Sequence, residues 1–265
     1  MLEETTRSVQ CDFMSQLLEG KTALVLGVAN RWSLAYAIAQ AFRREGARLL
    51  LTYQGERLQK TVEELGAALG AERVFECDVT RDEDLAKLTE TSERLDAVVH
   101  SIAFANQADL ARPFVETSRD GYLLAQNVSA YSMVAVARAT APLMTSGGAM
   151  LTLTYLGSTR VVTNYNVMGV AKASLEAAVR YLAGEMGQKK IRVNAISAGP
   201  IKTASARAIK DFSTILDTIQ SRAPLRRNTD PAEVADTAVF LASDLGRGVT
   251  GNCLFVDAGM QIMGF

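Results

Sequence analysis

Short apolar runs alternate along the chain with longer segments whose apolar residues recur at helical spacing. The first run is Thr22–Gly27 (TALVLG), and Ser33–Glu45 follows it with apolar residues at every third or fourth position. An uninterrupted apolar run of this length predicts a strand buried on both faces, and the spacing after it predicts an amphipathic helix. Because Gly46 ends that helix, the chain should begin with a strand, a glycine turn and a helix.

The same alternation predicts six further strands and the helices between them. The strands are Arg48–Tyr53, Arg73–Val79, Leu95–Ser101, Ala149–Thr154, Ile191–Ile196 and Cys253–Val256. The helices are Glu56–Leu69, Asp82–Arg94, Arg119–Ala141, Tyr165–Met186 and Pro231–Ser243, the last capped by Asp230. Because a right-handed crossover between parallel strands needs a helix, we predict an α/β fold with a single Rossmann-type, doubly wound parallel sheet flanked by helices.

The 265-residue chain shows no Pro/Gly/Ser-rich linker and no internal repeat, so the length suits one large domain. We expect residues 17–265 to form that domain, after a flexible leader at residues 1–16. The main insertion follows the sixth strand, at about residues 199–227. We interpret it as a mobile substrate lid, and a variable surface loop is the alternative.

Composition excludes several classes of function. The formal net charge is −1, so no field of one sign favours nucleic acid as a partner. No apolar run approaches the roughly 18 to 20 residues that cross a bilayer, and we expect a cytoplasmic protein without membrane contact. Cys11, Cys77 and Cys253 are far apart and His100 is the only histidine, so we predict neither a metal site nor a histidine-dependent triad.

The first predicted strand-to-helix turn lies where parallel sheets of this kind bind a dinucleotide pyrophosphate. Gly27, Ala29 and Ser33 occupy this turn without the spacing of GxGxxG. The Ser33 hydroxyl fits two roles, phosphate binding and capping of the helix. The position of the turn in the first βα unit therefore indicates a dinucleotide more strongly than its sequence does.

Neutral Gln54 follows the second predicted strand, where the adenosine ribose normally binds. Glu56 would repel a 2′-phosphate, although Arg57 would partly offset this repulsion. We therefore predict NADH as the cofactor and NADPH as the less favoured one. Further candidate cofactor contacts follow the third and fourth strands: Asp78, Val79, Ser101, Ile102 and Ala103. Asp78 also fits a turn or capping role, and residues 101–103 also fit simple strand termination.

Tyr165 and Lys172 belong to one predicted helix, seven residues apart, so they project from about the same side. A neighbouring ammonium lowers the cost of ionising a phenol, whose ordinary pKa is about 10. The pair is therefore suited to donating a hydrogen bond or proton to a developing oxyanion, and Lys172 also suits the nicotinamide ribose. The alternative is an amphipathic tyrosine and a solvated lysine on an ordinary helix.

The run NYNVMGVAKASLEA, with Tyr155 ten residues before Tyr165, resembles the enoyl-acyl-carrier-protein reductases of the short-chain dehydrogenase/reductase superfamily. Ordinary superfamily members have three residues between tyrosine and lysine, whereas six separate Tyr165 from Lys172 and position 169 is Gly. The similarity extends through LLEGKTALVLGVANRWSLAYAIA, LTYQGERL, CDV, VHSIAFA, AGPIKTASA and VTGNCLFVDAG. It implies an NAD-binding catalytic domain that reduces the trans-2 double bond of enoyl-acyl-carrier-protein thioesters in fatty-acid elongation.

The resemblance also implies residue roles. Hydride would pass from NADH to the β-carbon, with Tyr165 stabilising the enolate oxygen, Lys172 fixing the ribose and Tyr155 shaping the site. Besides Lys172, the implied NAD contacts are Gly27, Ser33, Leu34, Gln54, Asp78, Val79, Ile102, Ile201, Lys202, Thr203, Ala204 and Ser205. Ala105 is implied to lie at the substrate site, and Met168, Ile209 and Phe212 are candidate contacts of the acyl chain.

The expected partners are the acyl carrier protein and, by resemblance, three further copies in a homotetramer. Lys202, Arg207 and Lys210 place positive charge near the lid, which suits an acidic carrier, although a solvated loop explains them equally well. Two other functions stay open on the sequence. One is a short-chain carbonyl reductase with a relocated lysine, and the other is a dinucleotide-sensing protein without catalysis.

Overall fold

The computed structural model describes residues 16–90, 92–203 and 212–264. In these ranges seven strands form one parallel sheet in the order β3-β2-β1-β4-β5-β6-β7. The strands are β1 (Thr22–Leu26), β2 (Arg48–Tyr53), β3 (Arg73–Glu76), β4 (Ala97–His100), β5 (Gly148–Thr154), β6 (Ile191–Ala198) and β7 (Cys253–Val256). The predicted doubly wound parallel sheet is confirmed.

Helices cover both faces of this sheet. They are α1 (Leu34–Arg44), α2 (Glu56–Leu69), α3 (Asp82–Lys87), α4 (Gln107–Ala111), α5 (Arg119–Gln126), α6 (Ser132–Thr140), α7 (Asn166–Met186), α8 (Phe212–Arg222) and α9 (Pro231–Ala242). Alternate residues of β1 point to opposite faces: Ala23 and Val25 pack with α1 and α9, whereas Leu24 and Leu26 pack with α6 and α7. The result is a three-layer core with the sheet in the middle.

Several predicted boundaries differ from the structure. The helix predicted at Asp82–Arg94 ends earlier, with α3 followed by a 3-10 turn at Leu88–Glu90. The Ser92 hydroxyl there bonds to the backbone of Arg94 at both its N–H and its carbonyl, a local alternative to helical hydrogen bonds. The helix predicted at Arg119–Ala141 is divided by a π-helical stretch at Asn127–Tyr131.

Two helices were not predicted, α4 and α8. The five residues of α4 are too few for a helical period to show, and α8 lies in the segment interpreted as a lid. The capping prediction for the last helix is confirmed, because Asp230 and Glu233 form a reciprocal capping box around Pro231. No helix of the described ranges has both the length and the apolar character to span a membrane.

The strand order reverses between β1 and β4, and this topological switch point opens a crevice at the carboxyl ends of the strands. Gly27 follows β1 with a φ of +90°, a conformation that favours glycine. A Cβ atom at this position would lie 2.3 Å from the carbonyl oxygen of Ser101, which follows β4. Glycine therefore lets the two backbones converge where the crevice begins.

Candidate active site

The start of α7 is held in place by two asparagines on either side of Tyr165. Asn164 and Asn166 have φ values of 63° and 38°, in the left-handed region that asparagine tolerates better than most residues. The Asn166 side-chain amide donates to the carbonyl oxygens of Leu110 and Arg112, each at 2.8 Å. These bonds tie the first turn of α7 to the end of α4 and fix the position of Tyr165.

Tyr165 is 9% exposed and packs edge to face on Tyr155, with 5.0 Å between ring centroids. Two glycines make room for it. A Cβ atom at Gly157 would lie 2.4 Å from the Tyr165 ring, and one at Gly169 would lie 2.7 Å from the Gly157 carbonyl oxygen. A side chain at position 169 would therefore collide with the loop that follows β5.

Lys172 is 6% exposed, and its ammonium donates to the carbonyl oxygen of Leu153 near the end of β5, at 2.7 Å. Burial lowers the pKa of Lys172 to about 8, and the Glu176 carboxylate opposes this effect. The ammonium is thus held at a fixed place in the crevice, and it remains mostly protonated at pH 7.

Burial, and not the neighbouring ammonium, dominates the ionisation of Tyr165. Burial raises the pKa of the Tyr165 phenol above its ordinary value, and Tyr155 and Glu176 raise it further. The ammonium of Lys172 is held by Leu153 on β5, and the loss of hydration outweighs any help it gives to the phenolate. Tyr165 is therefore a neutral phenol at pH 7, suited to donating a hydrogen bond. Burial likewise raises the pKa of Tyr155, to about 12.

A cavity of about 320 Å³ occupies the crevice at the switch point. The predicted cofactor residues in its wall are Gly27, Ala29, Ser33, Leu34, Gln54, Val79, Ser101, Ile102, Ala103, Lys172 and Thr203. The Ser33 hydroxyl also caps α1, because it accepts a hydrogen bond from the Tyr36 N–H at 3.3 Å. The cavity thus combines the amino end of a helix with an ammonium group, a combination that suits a phosphate-containing ligand.

A second cavity, of about 700 Å³, adjoins the first and is mainly apolar. The predicted substrate residues in its wall are Ala105, Tyr155, Tyr165, Met168 and Phe212. The two cavities share six wall residues: Ala29, Asn30, Leu34, Leu58, Ala103 and Thr203. Lys172 therefore lines the first cavity and Tyr165 lines the second. The two cavities adjoin at the six residues that they share.

The remaining predicted contacts lie elsewhere or outside the described residues. Asp78 is not part of the wall of the first cavity, but its carboxylate accepts a hydrogen bond at 3.0 Å from the amide of Gln54, which is part of that wall. Ile201 lines the second cavity, and Lys202 lies in a separate recess beside Trp32. The predicted contacts Ala204, Ser205 and Ile209, and the basic residues Arg207 and Lys210, lie outside the described residues.

The sequence interpretation missed several wall residues. Asn30 and Leu58 line both cavities, and Phe104, Leu110 and Val162 line the second. Asn30 could have been predicted, because it lies in the first strand-to-helix turn. The others are apolar side chains that a sequence does not distinguish from core residues.

His100 lies in the core, between two hydroxyl groups. Its Nδ1 atom is 2.9 Å from Thr152 Oγ1 and its Nε2 atom is 2.8 Å from Ser132 Oγ. Burial lowers the pKa of His100 to about 3, and the charge of Lys172 contributes to this shift, so the ring is neutral at pH 7. Within the described ranges, no three His, Cys, Asp or Glu residues are grouped to hold a metal ion.

Comparison with known proteins gives a consistent result. A sequence profile of the family described as enoyl-(acyl carrier protein) reductase matches residues 27–261. The chain is 57% identical over 255 residues to enoyl-[acyl-carrier-protein] reductase [NADH] FabI of Bacillus cereus, covering 94% of this chain and 100% of that protein. It is 48% identical over 250 residues to enoyl-[acyl-carrier-protein] reductase [NADPH] FabI of Staphylococcus aureus, covering 92% and 98%.

A solved structure shows the same similarity in three dimensions. The crystal structure of the Bacillus cereus enoyl-acyl carrier protein reductase with NADP+ and indole naphthyridinone superposes with a TM-score of 0.92. The match covers 94% of this chain and 99% of that chain, at 57% sequence identity. The likeness thus extends over nearly all of the sheet and its helices.

Proposed function

Since the chain belongs to the enoyl-(acyl carrier protein) reductase family, we propose that it reduces the trans-2 double bond of enoyl-acyl-carrier-protein thioesters in fatty-acid elongation. One observation carries the proposal: Lys172 and Tyr165 face two adjoining cavities that share a wall. The first has the features of a dinucleotide site, and the second is large and apolar enough for an acyl chain. An electron donor and an unsaturated thioester would therefore meet between these two side chains.

The residues of the chain have separate roles in this proposal. Tyr165, a neutral phenol, donates a hydrogen bond to the thioester oxygen where negative charge develops. Lys172, fixed by the Leu153 carbonyl, binds the ribose hydroxyls beside the nicotinamide. Tyr155 packs on Tyr165 and limits its movement. The cofactor, when bound, supplies the hydride for the β-carbon.

The crevice residues fit a nicotinamide dinucleotide. Gly27 brings the first turn close to Ser101, and the amino end of α1 suits a pyrophosphate. At the adenosine end, burial alone would raise the pKa of the Asp78 carboxyl, but hydrogen bonds from Gln54 and Thr80 bring it below its ordinary value. An ionised carboxylate there disfavours a 2′-phosphate, which supports NADH over NADPH.

The outer parts of the molecule extend the proposal. Residues 17–265 form a single catalytic domain, and the segment 199–227 acts as the lid, supported by Phe212 and Ile215 of α8 in the wall of the second cavity.

The acyl carrier protein approaches this side of a cytoplasmic enzyme. A homotetramer is supported by the exposed Tyr122, Leu123, Tyr131 and Tyr181, which lie on the α5–α6 region and on α7.

A steady-state assay tests the function and the cofactor together. With a trans-2-enoyl thioester, we expect NADH oxidation, with kcat/KM for NADH above that for NADPH by about tenfold or more, equivalent to roughly 1.4 kcal/mol. Asp78→Asn is the matched variant, and we expect it to narrow this preference because it removes the carboxylate. Oxidation of NADH with ketones and not with enoyl thioesters would favour a carbonyl reductase, and binding without turnover would favour a sensor.

A further inference from the structure

Glu176 is a buried carboxylate beside the site, and the proposed chemistry does not use it. It lies one turn beyond Lys172 on α7 and is 8% exposed. The Thr154 hydroxyl donates to its Oε1 atom at 2.6 Å, and the Cys253 thiol on β7 also bonds to it. A buried carboxylate costs free energy unless it is hydrogen-bonded or balanced by a positive charge. Its position therefore suggests an electrostatic role.

The end of β5 holds both charges of α7. The carbonyl of Leu153 accepts the hydrogen bond from the Lys172 ammonium, and the next residue, Thr154, donates to Glu176. The ammonium is thus bonded to the strand rather than to the carboxylate, and Glu176 acts on Lys172 through space. Both side chains lie in a region with little water, where Coulombic interactions are weakly screened.

Four of the other titratable groups around this pair are neutral at pH 7, whereas Arg180, exposed one turn beyond Glu176 on α7, is charged and acts on Cys253. Burial lowers the pKa of His100 on β4 to about 3. Burial raises the pKa of Tyr155 after β5 and of Cys253 on β7, each to about 12, and raises that of Tyr165 as well. Asp257, after β7, acts on Tyr155. Among the described residues, Glu176 is the group whose charge favours the protonated form of Lys172.

We propose that Glu176 is a positioning residue: its carboxylate is the counter-charge that keeps the buried Lys172 ammonium protonated, and it thereby sets the alkaline limit of cofactor binding. The inference rests on the proposed function only in that Lys172 binds the reduced nicotinamide dinucleotide. Lys172 acts directly on the ligand, and Glu176 acts through Lys172.

The sign of the effect follows from the charges. Burial lowers the pKa of Lys172 to about 8, and the Glu176 carboxylate keeps it from falling further. The affinity of the wild-type protein for NADH should therefore fall as the pH rises through about 8. Without the carboxylate the ammonium loses its proton at a lower pH. The alkaline limb of binding should then move to lower pH, while affinity at pH 6 changes little.

The test measures the NADH dissociation constant by fluorescence from about pH 6 to pH 9.5. For Glu176→Gln we expect the alkaline fall in NADH affinity to move to lower pH by about one unit, because a nearby buried charge has been removed. Glu176→Asp keeps the charge and should retain most of the wild-type limb. Glu185→Gln is the matched control, because Glu185 is exposed on the same helix.

Two results would overturn the inference. In one, the affinity of Glu176→Gln for NADH falls over the same alkaline pH range as that of the wild type. In the other, the variant loses the same affinity at every pH, which marks a purely structural role. If circular dichroism shows that this variant does not fold, the double variant Glu176→Leu/Thr154→Val decides, because it removes the carboxylate together with the hydroxyl that donates to it and leaves neither group unpaired. The same shift to lower pH is expected, and no shift would overturn the inference. Binding is measured without turnover, so a wild-type protein that binds NADH and reduces no enoyl thioester refutes the proposed function alone.

Discussion

Burial makes Tyr165 a firmly neutral hydrogen-bond donor. A phenol is already protonated at pH 7, and loss of hydration, with Tyr155 and Glu176 acting in the same direction, makes the phenolate still less favourable. A protonated phenol at the wall of the apolar cavity donates a hydrogen bond to an oxygen that gains negative charge. Its value to the reaction lies in preorganisation, because α7 and two glycines fix the ring before a ligand arrives.

Tyr165→Phe should keep the fold and the affinity for NADH, because Lys172 and the first cavity are untouched. We expect kcat with an enoyl thioester to fall on the order of 10²- to 10³-fold, as the loss of one oxyanion donor typically causes. Steady-state kinetics and NADH fluorescence check both parts. Tyr181→Phe is the matched control, since Tyr181 lies on the same helix and is 83% exposed. A Tyr165→Phe enzyme with wild-type turnover would remove the phenol from the mechanism.

The sequence nominated Tyr155, Tyr165 and Lys172 through spacing and the family resemblance, and the structure places these three residues in the walls of two adjoining cavities. The direction of the pKa shift of Tyr165 was not predictable in the same way. It depends on how much water the folded protein removes from the ring and on which strand holds the Lys172 ammonium. Both are consequences of tertiary packing.

At the scale of elements, the contact between the loop after β5 and the first turns of α7 determines where the tyrosine lies. Gly157 and Gly169 let the loop and the helix approach closely, with the Tyr165 ring beside them. A side chain at position 169 would collide with the Gly157 carbonyl, so the close contact depends on glycine at both positions.

Gly157→Ala tests this contact. The new methyl group would lie 2.4 Å from the Tyr165 ring, so the ring must move. We expect kcat to fall at least about tenfold with little change in NADH affinity, and the free energy of unfolding to fall by about 1 to 3 kcal/mol. Turnover, NADH fluorescence and denaturant unfolding measure the three effects.

Gly184→Ala supplies the matched control, because Gly184 also belongs to α7 and an added methyl group there meets nothing within 4 Å. That variant should be more stable than wild type by up to about 1 kcal/mol, since alanine is the better helix former. Wild-type turnover in Gly157→Ala would show that the loop contact does not position Tyr165.

The seven strands could be predicted from the sequence because most are short apolar runs and the others, such as β3 (RVFE), fall where the alternation with helices requires a strand. The π-helical stretch at Asn127–Tyr131 was not predictable, because its residues have the same apolar spacing as the helices on either side. The short helix α4 was missed for lack of length, although its end receives the Asn166 hydrogen bonds that fix α7.

At the scale of the whole molecule, the sheet brings distant segments to one edge. Gly27, Ser101, Leu153 and Thr203 belong to four different parts of the chain, yet all line the first cavity. Once a parallel sheet was predicted, its carboxyl edge was the expected site, and the strand ends gave most of the cavity residues. The apolar wall of the second cavity was harder to predict, because Leu110 and Val162 resemble ordinary core residues.

The central claim is that the two cavities bring a hydride donor to the β-carbon of an enoyl thioester, and isotope transfer tests it most directly. NADH carrying deuterium at both C4 positions is incubated with a trans-2-enoyl thioester, and the product is analysed by NMR and mass spectrometry. We predict a saturated thioester with deuterium at the β-carbon and a solvent-derived proton at the α-carbon. Deuterium at the former carbonyl carbon, or a product without deuterium, would contradict the account.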